Sequence, residues 1–579
     1  MTGSEESYYL GFDLSTQQLK CLAINGSLKI VQAETIDFDR DLPQYGTKKG
    51  VYISGDVVEC PVGMWVEAID LIFERFTRSS FDLSKVRAIS GSCQQHGSVY
   101  WSSAADDLLK SLDPTKGSLC DQLVPGAFSR VTAPNWQDHS TGKQCKEFEA
   151  AVGGPQNLAK LTGSRAHFRF TGTQILKIAE EEPEIYKKTE AISLVSSFVA
   201  SVLSGSLTAL EEADACGMNL YDVAKREFDD KLLGLIDHNK TNIEKKLLAP
   251  CIKCNEPVRL SSISSYFVAK YGFDPNCSIF PFTGDNLATI CSLPLKENDV
   301  LVSLGTSTTI LLVTDQYHPS ADYHLFIHPT IPNSYMGMIC YCNGSLAREQ
   351  IRDQLNGDDK SGDWTRFNEA VSDDNLANED EISVYFPLGE IVPSVDATYK
   401  RAKFDIKSGE IKTFVDSYAN LRHDAKNIVE SQALSCRVRI SPLLSSTVTA
   451  LNNKNNDVKV KFDYDTFQLN EYLTKRPKKA FFVGGASKNN AIVQKFAQVL
   501  GATEGNYRLE TPNSCALGGC YKALWSHLHY SGQTQLRYDQ FLDQKFPWHD
   551  LEYICDSKDK TWQAYNNKIV PLSRLEATL

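Results

Sequence analysis

Short blocks of apolar residues alternate with polar segments from the N-terminus onward, at the spacings of strands and helices. The stretch LGFDLSTQQLKCLAING, residues 10–26, has two apolar runs joined by a polar loop, which predicts a β-hairpin. Its loop lacks the Asn-Gly or Gly-Gly pair of a plain tight turn. Instead it offers the carboxylate of Asp13, two hydroxyls and several backbone N–H groups, which together suit a phosphate and its metal ion. A solvated hairpin tip is the alternative interpretation of this stretch alone.

A second hairpin of the same kind is predicted almost three hundred residues later. In NDVLVSLGTSTTILLVTD, residues 298–315, two apolar runs flank Gly305 and Thr306 in a loop rich in hydroxyls. Just before it, FTGDNLATI places Asp285 in a Gly-Asp-Asn turn. The repeated pattern predicts two similar lobes with a boundary near residue 295.

Other segments show the periodicity of helices and buried strands. PVGMWVEAIDLIFERF carries apolar residues along one helical face, so a helix is predicted after Pro61. KVRAIS predicts a strand that runs into GSCQQHGSVYW, which places His96 where a strand enters a loop. Open α/β sheets bind ligands at such strand ends. Strands and helices continue to alternate, which predicts an α/β fold with mixed sheets.

A diglycine follows another predicted strand in KKAFFVGGASKNNAIVQKFAQVLG. The strand covers residues 480–483, Gly484 and Gly485 follow, and a helix comes next. Glycines allow a ligand to approach the backbone, and a helix N-terminus offers N–H groups to an anion. A plain strand-to-helix turn would use the same glycines.

Two polar segments of the second half, residues 355–381 and 451–461, are predicted to be exposed surface insertions. The first contains Trp364. An aromatic residue in such a stretch either completes a local cluster or stacks on the ring of a ligand.

Composition narrows the function classes. With 579 residues, 42% of them hydrophobic and 23% charged, the chain can bury a full core. A net charge of −12 leaves no basic surface for nucleic acid or an anionic membrane. The N-terminus has no signal-peptide pattern and no apolar run is long enough to span a bilayer, so a cytoplasmic protein is expected.

The sixteen cysteines are spread through apolar segments, as buried reduced thiols are. The single C-x-x-C at Cys251 and Cys254 lacks further ligands, so a zinc site is not expected. The chain also lacks the P-loop, the G-x-G-x-x-G fingerprint and the protein-kinase motifs.

Taken together and in order, six motifs resemble the FGGY family of carbohydrate kinases: GFDLSTQQLK, SGSCQQHGSVYW, TGDNLATICSLPL, VSLGTSTT, YFPLGEIVPS and FFVGGASKN. The similarity runs from about residue 8 to beyond residue 525. It implies an α/β fold of two ribonuclease H-like, actin-like ATPase lobes with a ligand cleft between them. Residues 1–295 would form the mainly sugar-binding lobe, and residues 296–579 the mainly nucleotide-binding lobe.

The resemblance also implies roles for individual residues. Asp285 matches the catalytic base, and Asp13 and Asp285 match carboxylates that organise magnesium. The implied sugar contacts are His96, Arg169, Asp285 and Asn286. The implied nucleotide contacts are Asp13, Thr16, Gly305, Thr306, Trp364, Gly484, Gly485 and Asn489. From sequence alone, His96 could equally be a satisfied loop histidine and Arg169 could form a surface ion pair.

This chain departs from the family pattern at several positions. Ser15 stands where many members have glycine. The W-x-D-x-R motif appears as WQDHS, residues 136–140, without its arginine, which leaves Asp138 as a candidate sugar contact.

The activity that the resemblance implies is transfer of phosphate from ATP, with Mg²⁺, to the C5 hydroxyl of D-xylulose. The product, D-xylulose 5-phosphate, would feed the pentose phosphate pathway. Two alternatives stay open: a kinase for another ketose or polyol such as ribulose or glycerol, and a silent actin-like nucleotide-binding protein. The expected partners are the two small substrates, without nucleic acid or membrane, and a monomer or homodimer is expected.

Overall fold

The computed structural model describes residues 7–444, 475–509 and 513–579. The predicted insertion at 451–461 lies outside the described residues. The chain divides into two compact units, and neither is continuous in sequence. The first unit comprises residues 1–294, 319–333 and 512–546, and the second comprises residues 295–318, 334–511 and 547–579.

The strands of the first unit are β1 Tyr8–Leu14, β2 Gln18–Asn25, β3 Ile30–Asp37, β4 Tyr52–Ser54, β5 Val57–Pro61, β6 Val86–Cys93, β7 Ser98–Ser102, β8 Phe128–Arg130, β9 Thr132–Pro134, β10 Thr189–Leu194, β11 Tyr221–Asp222, β12 Glu227–Phe228, β13 Ser261–Ser262, β14 Ser278–Ile279, β15 Thr283–Gly284 and β18 His324–Ile327. Its helices are α1 Phe38–Asp41, α2 Val62–Arg78, α3 Ala105–Lys110, α4 Leu119–Leu123, α5 Gly142–Val152, α6 Pro155–Thr162, α7 Thr171–Glu181, α8 Pro183–Lys188, α9 Val195–Ser204, α10 Glu212–Ala215, α11 Asp230–Ile236, α12 Lys240–Lys246, α13 Ser265–Tyr271, α14 Asp285–Cys291, α19 Ser514–Tyr530 and α20 Tyr538–Lys545.

The main sheet of the first unit has the order β13-β14-β6-β1-β2-β3, and β15 also pairs with β6. Strands β1, β2 and β3 are consecutive antiparallel neighbours, which confirms the first predicted hairpin. Strands β14 and β15 run parallel to β6, and β6 runs parallel to β1. The carboxyl ends of these parallel strands therefore meet at one edge of the sheet.

Helix α2 covers one face of this sheet, as its apolar stripe predicted. Phe73 on α2 packs edge-on against Phe12 of β1, with ring centroids 5.7 Å apart. Phe282, next to β15, lies 5.9 Å from Phe12. All three side chains are buried, so the helix and the active-site strands share one core.

Helix α19 comes from the far end of the chain and packs on the same sheet at glycine contacts. A Cβ at Gly519 would lie 2.7 Å from the Cα of Gly91 in β6. A Cβ at Gly518 would overlap the carbonyl oxygen of Ala288 in α14. Only glycine permits backbones to approach this closely, so these positions set how deeply α19 sits against β6 and α14.

The strands of the second unit are β16 Val300–Leu304, β17 Thr308–Thr314, β19 Tyr335–Tyr341, β20 Glu381–Phe386, β21 Thr398–Phe404, β22 Ile411–Val415, β23 Ala480–Val483, β24 Asn506–Arg508 and β25 Glu552–Cys555. Its helices are α15 Ser345–Asn356, α16 Thr365–Ser372, α17 Leu421–Ile440, α18 Asn490–Leu500, α21 Asp559–Ala564 and α22 Ile569–Glu576.

The main sheet of the second unit repeats the plan of the first. Its strands follow the order β19-β17-β16-β23-β24-β25. Three neighbouring antiparallel strands, β16, β17 and β19, are joined on the β16 side by β23, which runs parallel to β16, and then by β24, which runs parallel to β23. The second predicted hairpin and the strand at residues 480–483 are confirmed.

The prediction that residues 355–381 are simply an exposed insertion is wrong. Helix α16 forms within this segment and buries Phe367, Ala370 and Val371. The three apolar side chains recur at helical spacing, a signal that the many charged neighbours outweighed in the sequence.

The prediction for the cysteines is confirmed. All sixteen are free thiols, and most of them are buried. Among the helices of the described ranges, none combines the length and apolar character needed to cross a membrane.

Candidate active site

The carboxyl edge of the first sheet gathers most of the predicted sugar and metal residues of that unit. Asp13 in β1 stands opposite Ser92 in β6, and Thr283 in β15 stands opposite the same Ser92. Asp285 lies two residues beyond Thr283. The fold therefore places the two carboxylates on either side of β6, although 272 positions separate them in sequence (285 − 13).

Asp13 is a buried carboxylate with few protein partners. Its Oδ1 accepts a long hydrogen bond of 3.3 Å from the Ser92 hydroxyl. Burial raises its pKa from the ordinary value to about 6, and Lys20 and Ser92 offset part of this effect. A carboxylate so sparsely paired is suited to a cation or to the polar groups of a ligand.

Asp285 opens helix α14 and is held by its neighbour. Its Oδ1 accepts hydrogen bonds from the backbone N–H of Asn286 at 2.8 Å and from the Asn286 side chain at 3.1 Å. Burial raises its pKa to about 7, and the negative charge of Asp13 acts in the same direction. A carboxyl group with a pKa near neutrality is matched to accept a proton during a reaction.

Thr16 lies in the loop between β1 and β2 and is fully engaged with protein atoms. Its Oγ1 donates to the Oε1 of Gln94 at 3.1 Å and accepts from the indole N–H of Trp136 at 2.8 Å. Asn135 donates to the same Gln94 oxygen at 2.7 Å. The side chain of Thr16 therefore supports the loop, and a contact between Thr16 and a phosphate stays a prediction.

His96 follows β6 in a left-handed backbone conformation, with φ of 71°. Its Nδ1 lies 3.2 Å from the carbonyl oxygen of Gly217, and because a carbonyl only accepts, Nδ1 carries the proton. Burial and the positive charge of Arg169 hold its pKa well below the usual value, so the ring is neutral. The interpretation of His96 as a loop histidine bonded to the protein therefore applies to Nδ1 only, and Nε2 can accept a hydrogen bond from a hydroxyl group.

Arg169 forms no ion pair with the described residues, so the surface ion-pair interpretation is not supported. Its Nε is buried without a hydrogen-bond partner in the described ranges. Its positive charge lowers the pKa of Asp285 and of His96, which places the guanidinium within electrostatic reach of both.

Asp138, the candidate raised by the altered W-x-D-x-R motif, is occupied by structural contacts. Its carboxylate accepts from the backbone of Val58 at 3.0 Å, the backbone of Ser140 at 2.9 Å and the side chain of Gln174 at 2.8 Å. These bonds tie three segments together. Asp138 therefore has a structural role, since its carboxylate links Val58, Ser140 and Gln174.

Two residues at this edge are not among the predicted contacts, although the sequence places Gln95 in the same loop as His96. Gln95 accepts from the Asn286 side chain at 3.1 Å and so links the QQHG loop to the start of α14. Asp214 is buried near Asp285, accepts from the Ser196 hydroxyl at 2.6 Å, and has a pKa raised to about 7 by burial. Gln95 stood beside a candidate in the sequence, but nothing near Asp214 marked it.

In the second unit, the predicted phosphate loops also meet at one sheet edge. Ser303 in β16 stands opposite Val483 in the parallel strand β23, so Gly305 and Gly484 leave the sheet side by side. Gly484 has φ of +89°, and a Cβ there would lie 2.8 Å from the carbonyl oxygen of Leu304. Glycine is required at this position, and the backbone of Thr306 and of Gly485 borders the same edge.

Asn489 and Trp364 lie at the starts of two helices that contact each other. Asn489 caps α18 by accepting from the N–H of Ile492 at 3.3 Å. Its Nδ2 donates to Asn368 of α16 at 2.8 Å. Trp364 is the residue directly before α16, one turn before Asn368, so it lies at the start of the helix that Asn489 contacts.

Trp364 has a local cluster of its own. Its ring packs edge-on against Phe367 at 5.1 Å, and the guanidinium of Arg352 lies 4.7 Å from its centroid. The side chain is half-buried. Such a ring, held on one face by a cation, keeps an orientation that suits stacking against a flat ligand.

Models of one protein family match both halves of the chain. The family model described as "FGGY family of carbohydrate kinases, N-terminal domain" matches residues 131–291, and the corresponding C-terminal domain matches residues 300–527. The chain belongs to the FGGY family of carbohydrate kinases.

Individual members of the FGGY family resemble the chain over its whole length. The "Xylulose kinase" of Saccharomyces cerevisiae is 63% identical over 589 residues, which cover 100% of this chain and 97% of the yeast protein. The "Probable D-xylulose kinase A" of Neosartorya fischeri is 41% identical and covers 99% of this chain and 98% of its own.

A solved structure supports the fold. The xylulose kinase structure from Rhodospirillum rubrum matches with a TM-score of 0.73 at 14% identity, covering 99% of each chain. The predicted α/β fold of two ribonuclease H-like, actin-like lobes is confirmed. Family membership also confirms the predicted enzyme class, a carbohydrate kinase, which uses ATP as co-substrate.

Proposed function

We propose that this FGGY kinase transfers the γ-phosphoryl group of ATP to the C5 hydroxyl of D-xylulose. The observation that carries the proposal is the 63% identity, along the complete chain, to a protein named xylulose kinase. D-Xylulose 5-phosphate would be the product, which would feed the pentose phosphate pathway.

Asp285 is the proposed catalytic base. The attacking C5 hydroxyl is neutral and must lose its proton as the new P–O bond forms. The raised pKa of Asp285, to about 7, makes this carboxylate a stronger base than an exposed aspartate while much of it stays ionised at neutral pH. The hydrogen bonds from Asn286 fix the oxygen that does not face the substrate proton.

We propose that His96, Arg169, Asp285 and Asn286 bind the sugar. His96 offers Nε2 as an acceptor, and Arg169 has a buried donor that finds no partner in the part of the chain that the structure describes. Both are groups that a polyhydroxylated substrate would satisfy. Residues 1–295 would thus supply mainly the sugar side, together with the segments that the first unit receives from later in the chain.

Asp13, Thr16, Gly305, Thr306, Trp364, Gly484, Gly485 and Asn489 are the proposed nucleotide and phosphate contacts. Backbone N–H groups at the two glycine-containing turns of the second unit suit phosphate oxygens. Trp364 would stack on the adenine ring. Residues 296–579 would supply mainly the nucleotide side.

Magnesium fits the carboxylates of Asp13 and Asp285. Within the described ranges, no group of three or more His, Cys, Asp or Glu side chains could hold a metal by itself. Mg²⁺ prefers oxygen ligands and is commonly held by one or two carboxylates plus substrate phosphates and water, so a pair of aspartates is a fitting donor set. When bound, the ion would neutralise charge on the transferring phosphoryl group.

The test is ADP release with MgATP across D-xylulose, L-xylulose, D-ribulose, L-ribulose and glycerol. Asp285→Asn is measured beside the wild type. D-xylulose is expected to have the highest kcat/KM, and the variant is expected to lose roughly 10² to 10⁴ in kcat, the usual share of a general base. Preference for another acceptor would overturn the substrate, and an active variant would overturn the base. Sedimentation of the same protein would distinguish the expected monomer from a homodimer.

A further inference from the structure

Beyond His96 and Arg169, the first unit contains a cluster of imidazoles that the proposed mechanism does not use. His324 lies in β18, in the segment 319–333 that joins this unit from later in the chain. Its ring centroid lies 6.2 Å from that of His167 and 5.3 Å from that of Phe170. Phe170 in turn packs against His96 at 4.7 Å. Phe170 thus contacts all three imidazoles: the proposed sugar-binding His96 and the two additional histidines, His167 and His324.

The position of His324 is set by the backbone. The N–H of Leu325 donates to the carbonyl oxygen of Gly163 at 2.8 Å, which attaches β18 to the loop that leads to His167. A strand alternates its side chains, so His324 and Phe326 share the face opposite to Leu325. That face carries the ring toward His167 and Phe170.

Two nitrogens of the imidazole cluster and one of Arg169 are buried and have no hydrogen-bond partner within the described residues. They are Nδ1 of His167, Nδ1 of His324 and Nε of Arg169. His324 is 6% exposed. Buried polar atoms are nearly always paired, and each unpaired one requires an explanation such as a bound ligand.

The electrostatics favour a neutral, hydroxylated ligand. Burial and Arg169 lower the pKa of His324 to about 3 and hold that of His167 well below the usual value. Both rings are therefore neutral at physiological pH, and a neutral imidazole can donate to or accept from a hydroxyl group. Arg169 acts electrostatically on Asp285 as well as on His324, so it connects the proposed base with this cluster.

We infer that His324 and His167 complete the sugar site and bind the C1–C2 end of a linear ketose. This inference rests on the proposed function. The C5 hydroxyl of a pentulose is free only in the open chain, because the furanose form uses it in the ring. With C5 at Asp285, the C1 hydroxyl and C2 carbonyl occupy the opposite end of the chain, on the side of the imidazole cluster.

The experiment measures two substrates with the wild type and with variants of the two histidines. Steady-state kinetics compare D-xylulose with 1-deoxy-D-xylulose, which lacks only the C1 hydroxyl, in the wild type and in His324→Phe and His167→Phe. The wild type is expected to prefer D-xylulose by about 10-fold or more, since a site built for a hydroxyl discriminates against its absence. In His324→Phe this preference is expected to collapse toward one, through a higher KM for D-xylulose and an unchanged KM for ATP.

Two variants separate recognition from structure. His324→Asn keeps a polar atom near the position of Nδ1 and is expected to restore much of the preference. His328 lies on the same segment, but its Nδ1 accepts from the N–H groups of Thr330 at 3.2 Å and Ile331 at 3.0 Å. His328→Phe is therefore the matched control, and it is expected to lower thermal stability while the preference for D-xylulose persists.

The outcomes are distinguishable. If the wild type phosphorylates no ketopentose, the proposed function fails. If the wild type phosphorylates D-xylulose and both Phe variants keep the full preference over the deoxy sugar, the proposed function stands and the assignment of His324 and His167 is wrong.

Discussion

For individual residues, hydrogen bonding to the protein distinguishes the buried carboxylates that are free to bind a ligand from those that are not. Asp13 and Asp138 are both buried aspartates, yet the bonds made by Asp138 commit it to structure, whereas Asp13 receives one long bond from Ser92. A charge that the protein does not satisfy must be satisfied by a ligand, a cation or a proton. This contrast supports the proposal that Asp13 and Asp285, and not Asp138, take part in the reaction.

The pH dependence of the reaction should report Asp285. Its pKa is raised to about 7, so below that pH the carboxyl is protonated and cannot accept the proton of the sugar hydroxyl. We expect kcat/KM, which reports groups of the free enzyme, to fall about tenfold per pH unit as the pH drops below 7. Initial rates from pH 5 to 9 measure this. A profile that stays level down to pH 5 would contradict the assignment.

At the scale of the element, one acid organises the second phosphate loop. The carboxylate of Glu390 accepts from the backbone N–H groups of Cys342 at 2.7 Å and Asn343 at 3.2 Å. The next N–H, that of Gly344, donates to the carbonyl oxygen of Thr306 at 2.9 Å. Glu390 thus fixes the loop at residues 342–344, and this loop in turn bonds to Thr306 in the turn between β16 and β17.

Glu390→Gln should therefore weaken ATP binding without touching the sugar. Neutralising the side chain removes charge-assisted hydrogen bonds, which are about twice as strong as neutral ones. We expect the KM for ATP to rise about 10-fold and that for the sugar to stay within about twofold. Asp405→Asn is the control, because Asp405 accepts from the N–H groups of Lys407 and Ser408 at 3.0 Å in the turn between β21 and β22. Equal effects of the two substitutions would argue against Glu390 as a positioning residue.

The packing of α19 against α14 constrains the helix that begins with Asp285, the proposed base. A methyl group at Gly518 would overlap the carbonyl oxygen of Ala288, so Gly518→Ala must push the two helices apart, and α14 begins with Asp285. A displacement of about 1 Å can cost 10² in rate, so we expect kcat to fall by roughly that factor. Circular dichroism should show that the fold is retained.

Gly234→Ala in α11 is the control for this substitution, because a Cβ at that position would meet no described atom within 4 Å apart from its chain neighbours and the backbone of its own helix. It is expected to leave kcat unchanged. Full activity in Gly518→Ala would show that the position of α14 does not depend on this contact.

At the scale of the whole molecule, the first unit depends on residues from the other end of the chain. Helix α19 buries residues 516–526 against this unit's β1, β6 and α14. Without it, the sheet would expose an apolar face, and such faces lead to aggregation.

Two fragments test this dependence. Residues 1–294 alone are expected to be insoluble or to lack a cooperative thermal transition. Residues 1–294 joined through a Gly-Ser linker to residues 512–546 are expected to be more soluble and to melt cooperatively. Expression yield and thermal melting by circular dichroism measure the difference. Cooperative melting of residues 1–294 alone would show that α19 is dispensable for the fold.

Much of each unit follows from local sequence. The hairpin at residues 10–26, the helix after Pro61 and the strand at residues 480–483 carry strong periodicity, so neighbours along the chain determine them. The prediction for residues 355–381 was wrong for the converse reason. Charged neighbours mask the three buried apolar residues of α16 in the sequence, and the burial of these residues depends on other elements.

The amino-acid sequence is enough to identify the family, the two repeated sheets and the candidate residues, because the motifs are contiguous and their glycines and hydroxyls are needed where they stand. The burial and the hydrogen-bond partners of those residues depend on the tertiary structure. The tertiary structure places Asp13 and Asp285 on either side of β6, satisfies Asp138 and brings His324 and α19 into the first unit. It also leaves the Nε of Arg169 without a hydrogen-bond partner among the residues that the structure describes. Burial and hydrogen-bond satisfaction depend on residues hundreds of positions away, and no local pattern records such contacts.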